Sequence, residues 1–201
     1  MVGAALSLGA CEEESNDDNS NTNNNGGGGG GSVSVENNTV VAGSDKGTVT
    51  KYAASIGQDV NTGGAEFIEI YCYDSNALSS TSGFRMNLHE IPAASTTLKW
   101  QSSGNAPGAI GPGEFIVQIK VDDQWWYAPF TSDGYDITGG EMQVTVNGDK
   151  ITFAFEDTEL ADNLIMPNVT ERRACGGKVT MLLSELQDLQ NRPVENDLVD
   201  E

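Results

Sequence analysis

Apolar and polar residues alternate along much of this chain, most plainly at Met142, Val144 and Val146, then Asn147-Gly148, then Ile151, Phe153 and Phe155. A period of two turns one face of an extended segment to a core and the other to solvent. An Asn-Gly pair between two such runs favours a type I′ turn, whose twist matches that of paired strands, so a β-hairpin is predicted here. Residues 67–73 read as a strand with Ile68, Ile70 and Cys72 on one face and Phe67, Glu69 and Tyr71 on the other. Phe84, Met86 and Leu88 alternate with Arg85, Asn87 and His89 until Pro92 ends the run. Phe115, Val117, Ile119 and Val121 form another face, and Asp122-Asp123-Gln124 separates it from Trp125-Trp126-Tyr127 as a second hairpin would. Residues 46–55 alternate as one half-buried strand, with Thr48, Thr50 and Tyr52 on one side and Val49, Lys51 and Ala53 on the other.

Short strands are expected within 33–41 and over Thr96–Trp100, a last long strand at 178–183, and an extended loop over 101–113, which holds four glycines and two prolines. Ser184-Glu185-Leu186-Gln187 fits a capping box, which predicts a short helix before Pro193. Roughly eight to ten short strands with almost no helical periodicity predict an all-β antiparallel fold. A two-sheet β-sandwich, immunoglobulin-like or jelly-roll, is the preferred form, and a closed calycin-like β-barrel is the alternative. Residues 32–192 are long enough for one such domain with a sizeable core, followed by an acidic tail, 193–201.

The N-terminal part has a different character. Residues 1–10 are apolar or small, too few to cross the roughly 30 Å of a bilayer core as a helix, and they end in Leu8-Gly9-Ala10-Cys11. An aliphatic residue, two small residues and a cysteine resemble the lipobox of bacterial lipoproteins. That resemblance implies a signal peptide, cleavage before Cys11, and acylation of its sulfur and amino group. A signal peptide should open on Lys or Arg, and the chain has neither before Lys46, which fits a start upstream of Met1. Residues 11–31, acidic, then Asn-rich, then six glycines, read as a disordered tether spanning about 25 Å. The acids after Cys11 resemble the export signal of surface-displayed lipoproteins in some Gram-negative bacteria, implying an outer-membrane protein that faces the cell exterior.

The formal net charge is −20, and Glu12, Glu13, Glu14, Asp17 and Asp18 supply only part of it, so the folded domain is itself acidic. Nucleic acid is therefore not an expected partner, since phosphate neutralisation needs clustered Lys and Arg. The charge reads first as solubility; its sharper reading is binding of basic ligands or of calcium, the latter through Asp133 and Asp136 or Asp157, Glu159 and Asp162, although none has EF-hand spacing. Outside the anchor two cysteines remain, Cys72 and Cys175. In an exported protein they suggest a disulfide, worth up to roughly 4–5 kcal/mol in the chain-entropy model; two buried thiols packed as small apolar residues are the alternative.

Three adjacent aromatics on a strand must divide between two faces. If Trp126 is buried, Trp125 and Tyr127 stand side by side on the outer face, about 7 Å apart, a platform suited to stacking on a sugar ring. Trp100, Tyr135 and the acids Asp122 and Asp123 are candidates for its rim, and ordinary packing under the 101–113 loop is the competing explanation. His89 is the only histidine, and no Gly-x-Ser-x-Gly or His-Glu-x-x-His motif is present. The expectation is a non-catalytic binding module for extracellular glycan; a structural or protein-interaction subunit of an envelope complex comes second and a glycan-acting hydrolase third.

Overall fold

The computed structural model describes residues 6–10, 35–59, 65–75, 79–101, 110–131, 134–135 and 140–190. The strands are β1 (Leu6–Ala10), β2 (Thr39–Ala42), β3 (Asp45–Thr48), β4 (Lys51–Asp59), β5 (Ala65–Tyr73), β6 (Gly83–Leu88), β7 (Thr96–Trp100), β8 (Glu114–Val121), β9 (Gln124–Trp126), β10 (Phe130–Thr131), β11 (Gly134–Tyr135), β12 (Met142–Asn147), β13 (Lys150–Ala161) and β14 (Arg172–Leu182). A 3-10 turn spans Met166–Asn168, and the helix α1 (Leu183–Gln190) follows β14. No described helix is long and apolar enough to cross a membrane.

Hydrogen bonding orders the strands β1-β4-β5-β6-β8-β7-β12-β13-β14-β2-β3, with β9 on the end of β8 and β10 with β11 as a separate ribbon. The result is one curled open sheet, a half-barrel. All-β and antiparallel structure is as expected, but two separate sheets of a sandwich are not what forms, and the curl is closer to the barrel alternative. The physical reason lies in β7. Its first half pairs antiparallel with β12, Thr96 opposite Val144 and Leu98 opposite Met142. Its last two residues pair parallel with β8, Lys99 opposite Glu114 and Trp100 opposite Phe115. One strand thus welds what would have been two sheets.

The far ends of the curl are joined by chain continuity. Val49 N–H donates to the Asn38 carbonyl on the β2 side (2.9 Å), and Thr50 N–H to the Tyr73 carbonyl on the β5 side (2.9 Å). The 46–55 stretch is therefore not one strand with one inner face. Gly47 and Val49 are buried before this handover, Tyr52 and Ala54 after it, so the parity switches where the chain leaves one part of the sheet for another.

On β5, β6 and β8 the apolar face set by alternation is the one that enters the core. Ile68, Ile70, Cys72, Phe84, Met86, Leu88, Phe115, Val117 and Ile119 all lie in one buried cluster with Phe153 and Phe155. Gly177 sits on β14 where a Cβ would come within 2.4 Å of the Phe84 ring, so a bare backbone lets that ring fill the core. No disulfide joins the cysteines expected to bridge: Cys72 on β5 and Cys175 on β14 are both buried among apolar residues. Burial pushes the Cys175 thiol up to about 12. Both pack as small apolar side chains, the alternative reading of the pair.

The β12–β13 turn also differs in detail from expectation. In the β12–β13 hairpin Asn147 is still paired, opposite Lys150, so the turn residues are Gly148 and Asp149, and of the two only Gly148 has a positive φ, +60°. Glycine with positive φ at the first position is the type II′ signature, not type I′. Shifting the turn by one residue frees Asp149 for another task. Its carboxylate accepts hydrogen bonds from Ser184 N–H and Ser184 Oγ, each 2.9 Å, and its carbonyl accepts from Leu183 N–H at 2.8 Å. The start of α1 is thus capped from a distant hairpin, and Ser184 lies inside the helix instead of ahead of it. Leu183 and Leu186 of α1 enter the core, and the Tyr52 hydroxyl donates to Glu185. Asp149→Ala is expected to cost about 1 kcal/mol, the usual worth of a helix N-terminal cap, read as a lowered urea midpoint with unchanged slope.

Candidate functional site

The β8–β9 hairpin is the element from which the site is built. Its two turn residues, Asp122 and Asp123, have φ of +50° and +67°, the type I′ geometry that a right-twisted two-residue hairpin needs; aspartate tolerates it better than most side chains. Val121 then faces Gln124, Lys120 faces Trp125 and Ile119 faces Trp126. Trp126 thereby shares the inner face with Ile119 and is 2 % exposed, while Trp125 and Tyr127 are half-buried on the other face. That is the parity on which a platform depends. The strand end is fixed by reciprocal backbone hydrogen bonds between Tyr127 and Ala161, both 2.8 Å.

Two further aromatics extend the platform. The row Tyr73, Gly83, Lys120, Trp125 runs across β5, β6, β8 and β9. Four strands at the usual spacing cover about 14 Å between the outer backbones, yet the rings touch. Tyr73 and Tyr71 are 5.4 Å apart between centroids, Tyr71 and Trp125 6.0 Å, and Trp125 and Tyr127 6.3 Å. Tyr71 spans the gap by lying over Gly83, where an added Cβ would stand 2.7 Å from its ring. Successive ring planes differ by 39°, 35° and 27°, so the four form a gently twisting row.

Polar groups line the same face. Arg85 is opposite Tyr71 and Gln118 opposite Arg85, and Arg85 pairs with Glu69. Lys120 lies 2.8 Å from Asp123 Oδ1 and donates to the Ser80 carbonyl. Burial raises the Tyr127 hydroxyl above its ordinary value, against the pull of the Arg85 and Lys120 charges. Trp126 is held on the other side of the hairpin, with the Arg173 guanidinium 4.7 Å from its ring centroid.

The rim beside Gly83 is held by Asp74. Its Oδ2 accepts from Thr81 N–H (3.0 Å), Thr81 Oγ1 (2.7 Å) and Ser82 N–H (3.1 Å), and its Oδ1 from Ser75 Oγ (3.1 Å). Burial alone would raise this carboxyl, but the hydrogen bonds of Thr81, Ser75 and Ser82 outweigh it and bring it from 3.8 down to about 2. A depressed carboxyl contributes stability that is complete above its unfolded value and is lost as pH falls toward the folded one. Stability measured by urea titration is therefore expected to fall between pH 3.8 and about 2, and Asp74→Asn to flatten that part of the profile.

Of the other residues singled out from sequence, Trp100 belongs to the core and not to the rim: its ring is 4.7 Å from Phe115 and 5.8 Å from Phe155. Tyr135 pairs through its backbone with Phe130, and its side chain is outside the described residues. Cys11, Asp133 and Asp136 are outside them too. Among the described residues no cluster of three or more His, Cys, Asp or Glu could hold a metal ion; Asp162 instead accepts from Thr170 N–H at 2.9 Å. His89 is exposed, its Nδ1 donating to the Ile110 carbonyl at 3.1 Å. Tyr71, Tyr73, Gly83, Arg85 and Lys120 were not recognisable as one site from sequence. Alternation placed Tyr71 on an outer face, but only the order of β5, β6, β8 and β9 brings it to Trp125. Comparison with protein-family models, curated proteins and solved structures found no match.

Proposed function

We propose that the outer face of β5, β6, β8 and β9 binds a glycan, with sugar rings stacking on Tyr71, Trp125 and Tyr127 and with Tyr73 backing the row. The observation that carries this reading is the unbroken contact of four rings contributed by strands at opposite sides of a four-strand patch, three of them half-buried. A partly exposed aromatic row is an interaction feature. Arg85, Glu69, Gln118 and Lys120 offer donors and acceptors around it, as hydroxyl-rich ligands require. The module acts without catalysis, displayed outside a bacterial outer membrane on an acylated Cys11, as the Leu8-Gly9-Ala10-Cys11 resemblance supports.

The test is tryptophan emission titrated with a panel of neutral and acidic polysaccharides. Only Trp125 is half-buried, whereas Trp100 and Trp126 are buried, so a bound sugar shifts the emission of one of three tryptophans. A panel that leaves emission unchanged throughout would sink the glycan reading. A stoichiometric protein partner recovered after gentle detergent extraction would replace it with a role in an envelope complex.

A further inference from the structure

β4 is nine residues long and paired with β5 along its whole length, from Lys51 opposite Tyr73 to Asp59 opposite Ala65. Its other edge is paired, among the described residues, over 51–54. Among the described residues only β1 pairs there, with Leu6 opposite Ala54, Ser7 opposite Ala53, Leu8 opposite Tyr52 and, past an irregularity, Ala10 opposite Lys51. Residues 55–59 have no pairing on that edge among the described residues.

Exposed strand edges normally carry charges, prolines or bulges that discourage pairing with another chain. Between Lys51 and Asp59 this one reads Tyr-Ala-Ala-Ser-Ile-Gly-Gln, seven residues with no charge and no proline, in a chain of net charge −20. The exception sits at the two ends, one cation and one anion. An antiparallel pairing of β4 with itself about Ser55 places Lys51 of each copy opposite Asp59 of the other, Tyr52 opposite Gln58, Ala53 opposite Gly57 and Ala54 opposite Ile56. Uncharged side chains meet at the centre, Ser55 on Ser55 and Ala54 on Ile56, and opposite charges meet at both ends, which is the favourable cross-strand arrangement. Each residue also keeps its face, because odd positions meet odd ones.

We infer that the β4 edge is a dimerisation surface for a second copy of this chain and that β1 is its cap. With β1 in place, Lys51, Tyr52, Ala53 and Ala54 are occupied and the two-fold pairing is blocked. When β1 leaves, by displacement or by the cleavage before Cys11 that the N-terminal resemblance implies, the whole edge opens and the two curled sheets join through it. The two-fold axis at Ser55 makes the contact self-complementary and closed, giving a dimer and no longer assembly.

The experiment is sedimentation of the full chain beside Leu8→Pro, which removes a backbone N–H from the middle of β1, opposite Tyr52. The expected result is a monomer for the unchanged chain and a dimer for Leu8→Pro. In the Leu8→Pro background, Lys51→Asp sets like charges against each other at both ends and weakens the dimer about tenfold; adding Asp59→Lys restores it. A monomeric Leu8→Pro chain with a native near-ultraviolet spectrum overturns the proposal. So does a dimer indifferent to the charge exchange, or an unchanged chain that is already dimeric.

Discussion

Phe155→Ala is expected to cost about 3 to 5 kcal/mol, the range for removing a fully buried phenylalanine from a core. In a domain of this size that corresponds to a thermal midpoint roughly 10 °C lower. The position explains the size of the effect. Phe155 is 0 % exposed and meets Trp100 edge-on at 5.8 Å and Phe115 at 6.4 Å. These three rings come from β13, β7 and β8, so they pack across the strand that joins the two halves of the sheet. Removing Phe155 leaves a cavity that Trp100 and Phe115, held by the β7–β8 pairing, can only partly close, and an edge-to-face pair is worth more than its area alone. Thr145→Ala, on the exposed face of the same hairpin, should change stability by no more than about 0.5 kcal/mol. A Phe155→Ala cost below about 1 kcal/mol would mean that the aromatic seam is not where the halves are held together.

Tyr71→Ala combined with Trp125→Ala is expected to weaken glycan binding between about 10-fold and 100-fold. Each aromatic contact of this kind is worth about 0.5 to 1.5 kcal/mol beyond its area, and because the two rings touch, at 6.0 Å, their effects need not add. Both side chains are half-buried on an outer face, so the fold should survive their loss. A second variant separates signal from binding. Trp125→Phe keeps a ring in the row and should retain most of the affinity, while the ligand-dependent change in tryptophan emission disappears. If the double variant binds as the unchanged protein does, the ligand sits elsewhere. If Trp125→Phe still reports binding through its remaining tryptophans, the reporting ring is one that the core holds.

Much of this was legible in the residues because alternation is local. Ile68, Ile70 and Cys72, then Phe84, Met86 and Leu88, then Phe115, Val117 and Ile119 face the core just as their period of two requires. The same rule set Trp126 on the opposite face from Trp125 and Tyr127, and the pairing of Trp126 with Ile119 made its face the inner one. Period alone fails where the chain changes partners. Across Val49 and Thr50 the buried parity reverses, since the inner face there belongs to two different neighbours, β2 and β5. Trp100, a candidate for the rim, instead follows the period with Leu98 to the buried face of β7, its ring against Phe115.

Local pattern therefore determined that this chain is all-β, where its hairpins fall, and which side of each strand is apolar; these depend on nearest neighbours and on the pleat. Only the tertiary structure decided the strand order, the single curled sheet, the Asp149 cap on α1, and the meeting of Tyr71 with Trp125 over Gly83. Each of these joins residues far apart in sequence, and what selects them is the closure and packing of the whole sheet, which no short window of residues contains.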